Sequence, residues 1–248
     1  MNSLRGLANN IIAKINGVNF INEVKSLNLL EGINDSKQNG LNSLIVSDDN
    51  RIFAAGEAGK IFYSNEINEN LYDVSFSEFR LNREISSIVN LNSDVLAVGL
   101  TSGEIWYLSI KENIKTRIFP KTKSKEMFPI KDLIFNGTSI FSIQKNYVIE
   151  FSLKEQIFYN YNLNIKDDDH FEDIAFDQNN IIYISTKKGD IFKFNIDDKS
   201  NTLIFESNNE VLSYNDRVTK IEYFKNKFIF STKNGWIYIF DDNNSILE

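Results

Sequence analysis

The chain has 248 residues, of which 42% are hydrophobic, 25% charged and 13% aromatic, a globular composition that excludes a disordered or fibrous protein. No apolar run approaches the ~20 residues that a spanning helix needs, so the sequence predicts no membrane span. The absence of cysteine excludes disulfides and cysteine-ligated zinc. A net charge of −7 argues against general affinity for nucleic acid or anionic membranes.

The first 40 residues admit two interpretations. As two strands, segments 10–15 and 18–24 flank Asn16-Gly17, a strong signal for a tight β-hairpin. As a helix, the same region places apolar side chains on one face with the period of an amphipathic helix. The apolar stripe of that helix would consist of Leu4, Leu7, Ala8, Ile11, Ile12 and Ile15.

A repeated hairpin follows from residue 41 onwards. Each copy has a short apolar strand, a polar turn and a second aliphatic and aromatic strand, as in segments 51–63, 181–192 and 228–238. Two further copies lie at 95–109 and 140–153. The turn position recurs after 44, 43, 43 and 46 residues, which indicates an internal repeat. It is occupied by Gly59, Gly103, Asn146, Gly189 and Gly235.

Each hairpin also has a strand before it and, in four units, a strand after it. Four short strands rich in Ile, Phe, Tyr and Val every ~43 residues are typical of propeller blades. The sequence therefore predicts an all-β propeller of four-stranded blades, with a β-sandwich of accidental periodicity as the alternative. The preceding strands are predicted at 42–46, 85–91, 130–135, 172–176 and 218–224, and the following strands at 71–79, 114–119, 157–163 and 202–205.

The number of blades depends on the first 40 residues. Gly17 lies 42 residues before Gly59 and is therefore in register with the repeat, which favours the hairpin and six blades. On the helical interpretation there are five blades, and residues 23–31 supply the outer strand of the last one. The preferred units of this single domain are 1–40, 41–84, 85–129, 130–170, 171–216 and 217–248.

The residues also suggest a family. Segment 41–46 reads Leu-Asn-Ser-Leu-Ile-Val, and segment 55–64 reads Ala-Gly-Glu-Ala-Gly-Lys-Ile-Phe-Tyr-Ser. This pattern resembles the blades of WD-repeat-like and photosystem-assembly-factor-like propellers, the latter widespread in bacterial surface and phage tail proteins. The resemblance covers 41–242 and implies a fold but no activity. The Gly-His and Trp-Asp dipeptides of WD repeats and the Ser-x-Asp-x-Gly-x-Thr-Trp box of sialidase-type blades are absent.

Two charged segments are candidate sites. The acidic segment around His170 offers Asp167, Asp168 and Asp169 as oxygen ligands for calcium, but it lacks the glycine of a calcium loop. A solvated connector between blades is the preferred interpretation. A basic stretch is the second candidate, for an acidic partner or as a solubilising connector. Its candidate partner-binding residues are Lys121, Lys123 and Lys125.

The last unit ends shortly after its third strand and lacks most of an outer strand. An open edge exposes backbone donors and acceptors that recruit another strand. Residues 23–31, the short tail, or a strand from another chain could pair there. The candidate partner-binding residues of this edge are Trp236, Tyr238 and Phe240.

No group of residues in the sequence has the pattern of a catalytic site or a cofactor site. We therefore expect a non-catalytic binding or scaffold propeller that works within a protein assembly. The alternatives are an adhesion or structural module of a phage tail or bacterial surface that binds a glycan or receptor, and a propeller hydrolase. The expected partner is protein. With no signal peptide evident, the expected location is cytoplasmic or virion-associated.

Overall fold

The computed structural model of the protein describes residues 40–241, apart from 48, 50, 65–75, 82, 120–126, 167–168, 178, 207–216 and 225–226. The described residues form nineteen β-strands and one 3-10 turn at Glu57–Gly59. No helix in this part of the chain has the length and apolarity needed to cross a membrane.

The strands form five antiparallel sheets, and within each sheet their order follows the chain. Blade 1 contains β1 (Leu41–Val46), β2 (Ile52–Gly56), β3 (Lys60–Ser64) and β4 (Phe76–Arg80); blade 2 contains β5 (Ile85–Asn92), β6 (Val95–Leu100), β7 (Ile105–Ser109) and β8 (Ile114–Phe119). Blade 3 contains β9 (Asp132–Phe135), β10 (Ser139–Gln144), β11 (Tyr147–Ser152) and β12 (Ile157–Asn162); blade 4 contains β13 (Phe171–Phe176), β14 (Ile181–Thr186), β15 (Ile191–Asn195) and β16 (Asn201–Phe205). Blade 5 contains β17 (Val218–Phe224), β18 (Lys227–Thr232) and β19 (Ile237–Asp241).

Successive blades pack side by side through their first strands, β1 on β5, β5 on β9, β9 on β13 and β13 on β17. This confirms the predicted all-β propeller, in which first strands lie innermost. Five blades are described, as in the five-blade alternative, and the preferred count of six is not met. The extra blade predicted over 1–40 and the closing strand predicted at 23–31 lie outside the described residues, apart from Gly40.

The turns follow the repeat predicted from the sequence. Gly59, Gly103, Gly189 and Gly235 all have positive φ, between +68° and +103°, a conformation that glycine adopts without strain. The prediction that Asn146 takes the same role is wrong, because the positive φ falls on Lys145 (+51°). In this blade Gln144 pairs directly with the first residue of β11, which leaves a two-residue turn and shifts the left-handed position by one residue.

Each of blades 1 to 4 buries one apolar face against the blade that follows it. In blade 1, Phe53, Ala55 and Ile61 pack against Ile85 and Ile88 at the inner strand of blade 2. We call the face that contacts the following blade the trailing face, and the face that contacts the preceding blade the leading face. Because β-strand side chains alternate between the two sides of a sheet, a blade between two neighbours is apolar on both faces.

Candidate functional site

The predicted metal site is described only in part, because Asp167 and Asp168 lie outside the described residues. Asp169 is buried, and its Oδ1 accepts the backbone N–H groups of His170 (2.8 Å) and Lys188 (3.2 Å). Within the described part of the chain, no three His, Cys, Asp or Glu side chains are placed to hold a metal ion. Asp169 thus fixes the start of blade 4 against a turn of the same blade.

The structure describes only some of the predicted partner-binding residues. Lys121, Lys123 and Lys125 lie outside the described residues. Trp236 is 64% exposed, whereas Tyr238 stacks on Phe230 with ring centroids 4.8 Å apart. In the backbone pairing of β18 and β19, Phe240 lies opposite Phe228. Of the residues predicted at the last edge, Trp236 therefore presents the largest described surface to a partner.

The structure reveals a set of equivalent polar residues that the sequence interpretation missed. Each inner strand has one polar residue that pairs with an equivalent position of the second strand in its own blade. We call these five equivalent residues the polar ring. In four of the five inner strands the polar residue follows a bulge in the pairing. The polar ring consists of Ser43, Ser87, Asp132, Asp173 and Lys220.

The polar ring ties neighbouring blades together through hydrogen bonds from backbone amides. In three places, the residue after a polar-ring position donates its N–H to the polar-ring side chain of the preceding blade. Such bonds satisfy backbone amides at the inner strands, and the Leu133 amide also donates to Asp132 Oδ1 (2.9 Å). They run from Ile88 to Ser43 Oγ (3.2 Å), from Leu133 to Ser87 Oγ (3.2 Å) and from Ile221 to Asp173 Oδ2 (2.6 Å).

Three charged members of the polar ring form a cluster that joins blades 3, 4 and 5. Lys220 Nζ donates to Asp173 Oδ1 (2.7 Å) and to Asp132 Oδ2 (3.0 Å), so blade 5 reaches past blade 4 to blade 3. The hydroxyl of Ser87 donates to Asp132 Oδ1 at 2.5 Å. The Asp173 side chain is 6% exposed, whereas that of Lys220 is 52% exposed. The ammonium of Lys220 therefore lies between the buried carboxylates and the solvent.

Two carboxylates share one ammonium, and their pKa values diverge. Burial and the negative charge of Asp132 raise the pKa of Asp173 well above its ordinary value. Burial opposes the charge of Asp132 as well, but Lys220 and hydrogen bonds outweigh it and lower the pKa of that carboxyl. Burial also opposes the charge of Lys220, yet the two carboxylates raise its pKa. Within this cluster, Asp173 is thus the group that binds a proton at pH values above the ordinary pKa of an aspartate.

We expect the stability of the protein to depend on the protonation of Asp173. Because its pKa is higher in the folded than in the unfolded chain, the folded state binds more protons between the ordinary value of 3.8 and the raised value. The contribution of Asp173 to the free energy of unfolding should therefore decrease as pH rises through that window. Urea unfolding of the wild type and of Asp173→Asn at pH 5 and pH 8 measures this contribution, since other groups titrate in both proteins.

The expected result is that the wild type loses more stability than Asp173→Asn between pH 5 and pH 8. The variant keeps His170, whose pKa is lowered by burial and by Lys131, so the opposite slope from that residue is common to both proteins. Equal pH dependence of the two proteins would contradict the raised pKa of Asp173.

The outer strands of blades 3 and 4 are further candidates for binding a partner. Neither β12 nor β16 contains a charged residue, and in the described part of the chain each has one neighbouring strand. Ile157 is 49% exposed and Leu203 is 41% exposed, and Tyr159 is exposed as well. We call Ile157, Tyr159 and Leu203 the rim surface. An outer strand without charged residues is unusual, because edge strands are normally protected from pairing by charges.

No protein-family model matches the chain, and no curated protein matches it.

Proposed function

We propose that the protein is a non-catalytic binding propeller that acts as a scaffold in a protein assembly, and that the rim surface holds the protein partner. The observation that supports this proposal is the exposure of Ile157 and Leu203 on outer strands that contain no charged residue. Exposed apolar side chains beside open backbone groups favour the addition of a partner strand. The partner is therefore expected to contribute an extended segment with apolar side chains.

Blade 2 provides the contrast within the same molecule. Its outer strand β8 also exposes an aliphatic residue, Ile114, but it contains Lys115 and Arg117. Charged side chains on an edge strand oppose pairing with another chain. We therefore assign the partner to blades 3 and 4 and not to blade 2.

The polar residues at the centre of the propeller support the non-catalytic part of the proposal. Asp132, Asp173 and Lys220 are hydrogen-bonded to one another or to neighbouring blades. A catalytic acid or base must reach a proton of the substrate, and groups that already hold the fold together are poorly placed for that. The resemblance to WD-repeat-like and photosystem-assembly-factor-like propellers remains part of this proposal, supported by the sequential packing of four-stranded blades.

Variants of the rim surface test the proposed function. We expect Ile157→Lys and Leu203→Lys to reduce recovery of a stoichiometric protein partner with the tagged chain at least tenfold, because a charge on the edge opposes strand addition. Quantitative mass spectrometry of complexes purified from the native cell measures the recovery. Ile114→Lys is the matched control, since it adds the same charge to an exposed position of β8 and should leave recovery unchanged.

The same experiment separates the alternatives. Equal recovery with all three variants would contradict the rim surface as the binding site, and the absence of any stoichiometric partner would contradict the scaffold. Binding to a glycan array that is lost in Trp236→Ala would support the adhesion alternative, because an exposed indole provides a stacking platform for sugars. Turnover of a substrate by the purified chain would support a hydrolase instead.

A further inference from the structure

The turn between β9 and β10 contains an Asn-Gly pair, Asn136-Gly137, that the proposed function does not use. Asparagine is a thermolabile residue, and its side-chain amide is most reactive when glycine follows, because glycine has no Cβ to shield its backbone nitrogen. The sequence has four such pairs, and two of them, 136–137 and 234–235, lie wholly within the described residues. The structure distinguishes these two pairs.

The two pairs differ at the backbone nitrogen of the glycine. The N–H of Gly235 donates to the carbonyl of Thr232 (3.0 Å), a bond that must break before this nitrogen can react. Gly137 is exposed, and among the described residues its N–H donates to no acceptor. An added Cβ at Gly137, whose φ is +94°, would have no neighbouring atom within 4 Å. The nitrogen of Gly137 is therefore not held by a hydrogen bond, and its residue lies in open space.

The side-chain amide of Asn136 is held by its oxygen. Oδ1 accepts the N–H of Thr138 (3.0 Å), the hydroxyl of Thr138 (3.0 Å) and the N–H of Ser139 (2.8 Å). Three donors on one carbonyl oxygen polarise the carbon Cγ and stabilise negative charge that develops on that oxygen. Among the described residues Nδ2 donates to no acceptor, so the nitrogen that leaves in a reaction at Cγ is not held.

We propose that Asn136 is a site of spontaneous modification in the folded protein, where the Gly137 nitrogen closes a succinimide ring on the Asn136 side chain. Base removes the proton of the Gly137 N–H, the nitrogen lone pair forms a bond to Cγ, and negative charge develops on Oδ1. The Cγ–Nδ2 bond then breaks, and Nδ2 takes a proton from water and leaves as ammonia. Water opens the ring at Cγ to give aspartate, or at the backbone carbonyl carbon to give isoaspartate. No group is oxidised or reduced.

The isoaspartate product changes the turn between β9 and β10. Its backbone runs through the former side chain, so the oxygen that accepts the Thr138 and Ser139 amides becomes part of a lengthened main chain. The product also carries a carboxylate, which places a negative charge in a turn that has no charged residue between Phe135 and Ser139. This inference is independent of the partner proposed for the rim surface.

Peptide mapping of the full chain tests the proposal. The purified protein is incubated at pH 8 in 18O-labelled water and digested, and mass spectrometry measures the fractions converted at positions 136 and 234. We expect position 136 to convert at least about fivefold faster, since Gly235 must first lose its hydrogen bond to Thr232. Electron-transfer fragmentation distinguishes isoaspartate from aspartate, and uptake of the heavy oxygen identifies conversion that occurs during the incubation.

The same chain unfolded in guanidinium chloride is the reference, because both Asn-Gly pairs then lose their hydrogen bonds and should convert at similar rates. Gly137→Ala is the matched variant, since its Cβ has space in the fold but shields the nitrogen. Conversion at 136 should fall at least about tenfold in this variant, and conversion at 234 should stay unchanged. The proposal is overturned if the ratio of the two rates is no larger in the folded than in the unfolded chain, or if Gly137→Ala leaves the rate at 136 unchanged.

Discussion

Replacing Asp173 with alanine should lower the free energy of unfolding by about 2–4 kcal/mol. The substitution removes the acceptor of the buried Ile221 amide and one of the two carboxylate partners of Lys220. An orphaned buried amide costs about 1–3 kcal/mol, and the loss of the charge partner adds to this cost. Because the Lys220 side chain is half exposed, water compensates part of the second contribution. Equilibrium urea unfolding measures the change.

Two variants control for this interpretation. Asp173→Asn keeps an oxygen acceptor for Ile221 and should lose less stability than Asp173→Ala. Glu172→Ala removes a neighbouring carboxylate of the same strand, which is partly exposed and pairs with Lys131, and it should cost under about 1 kcal/mol. Stability losses of equal size for Asp173→Ala and Glu172→Ala would show that the polar ring is not what joins the last blades.

The fold could be predicted from the sequence because each repeated unit contains its own local signals. The strand predicted at 218–224 is observed as Val218–Phe224, and the one predicted at 85–91 as Ile85–Asn92. Glycine at a turn between two apolar strands fixes the hairpin, and its recurrence indicates the repeat. The recurrence does not fix the number of units, because Gly17 is in register with the repeat and leads to the preferred count of six. The misassigned turn at Asn146 arose because blade 3 shortens its turn, a change that leaves the spacing of the repeat almost intact.

The polar ring could not be found from charge or motif patterns. Asp132, Asp173 and Lys220 are separated by 41 and 47 residues and belong to no local motif. Comparison of the repeats position by position does contain the signal, a polar residue followed by an aliphatic one in every inner strand. Ser87 and Ile88 illustrate it, and the aliphatic residue is buried in blades 2 to 5. Such residues meet only because the propeller brings all inner strands to one axis.

The exposure of Ile237 could not be predicted from the local sequence. Ile191 and Ile237 follow their turn glycines at the same distance and have the same side chain, yet one is buried and the other is 63% exposed. The difference lies in the neighbouring blade and not in the residue. Burial of a trailing face is a property of the assembled ring, so periodicity alone predicts both residues to be core.

Alanine at Gly59 should destabilise the protein far more than alanine at Gly235, although both glycines have positive φ (+68° and +90°). At Gly235, an added Cβ would have no neighbouring atom within 4 Å, so the cost is the backbone strain of about 1–2 kcal/mol. At Gly59, the Cβ would lie 1.7 Å from the carbonyl oxygen of Leu81 and 2.5 Å from that of Arg83. Relieving this overlap adds at least about 2 kcal/mol, because both atoms belong to the backbone.

Thermal and urea unfolding of the two variants measure the difference, which should reach at least about 2 kcal/mol in the free energy of unfolding. Gly235→Ala is the matched control for Gly59→Ala, since the substitution and the strained backbone region are the same and only the space around the added Cβ differs. Gly59 also accepts the Leu81 amide (2.7 Å), and this bond joins the turn of blade 1 to the chain leading into blade 2. The damage in Gly59→Ala should therefore appear at the junction of these blades, as faster amide exchange at Leu81 than in Gly235→Ala. Equal stability of the two variants would mean that the close approach of Gly59 to Leu81 is absent in solution.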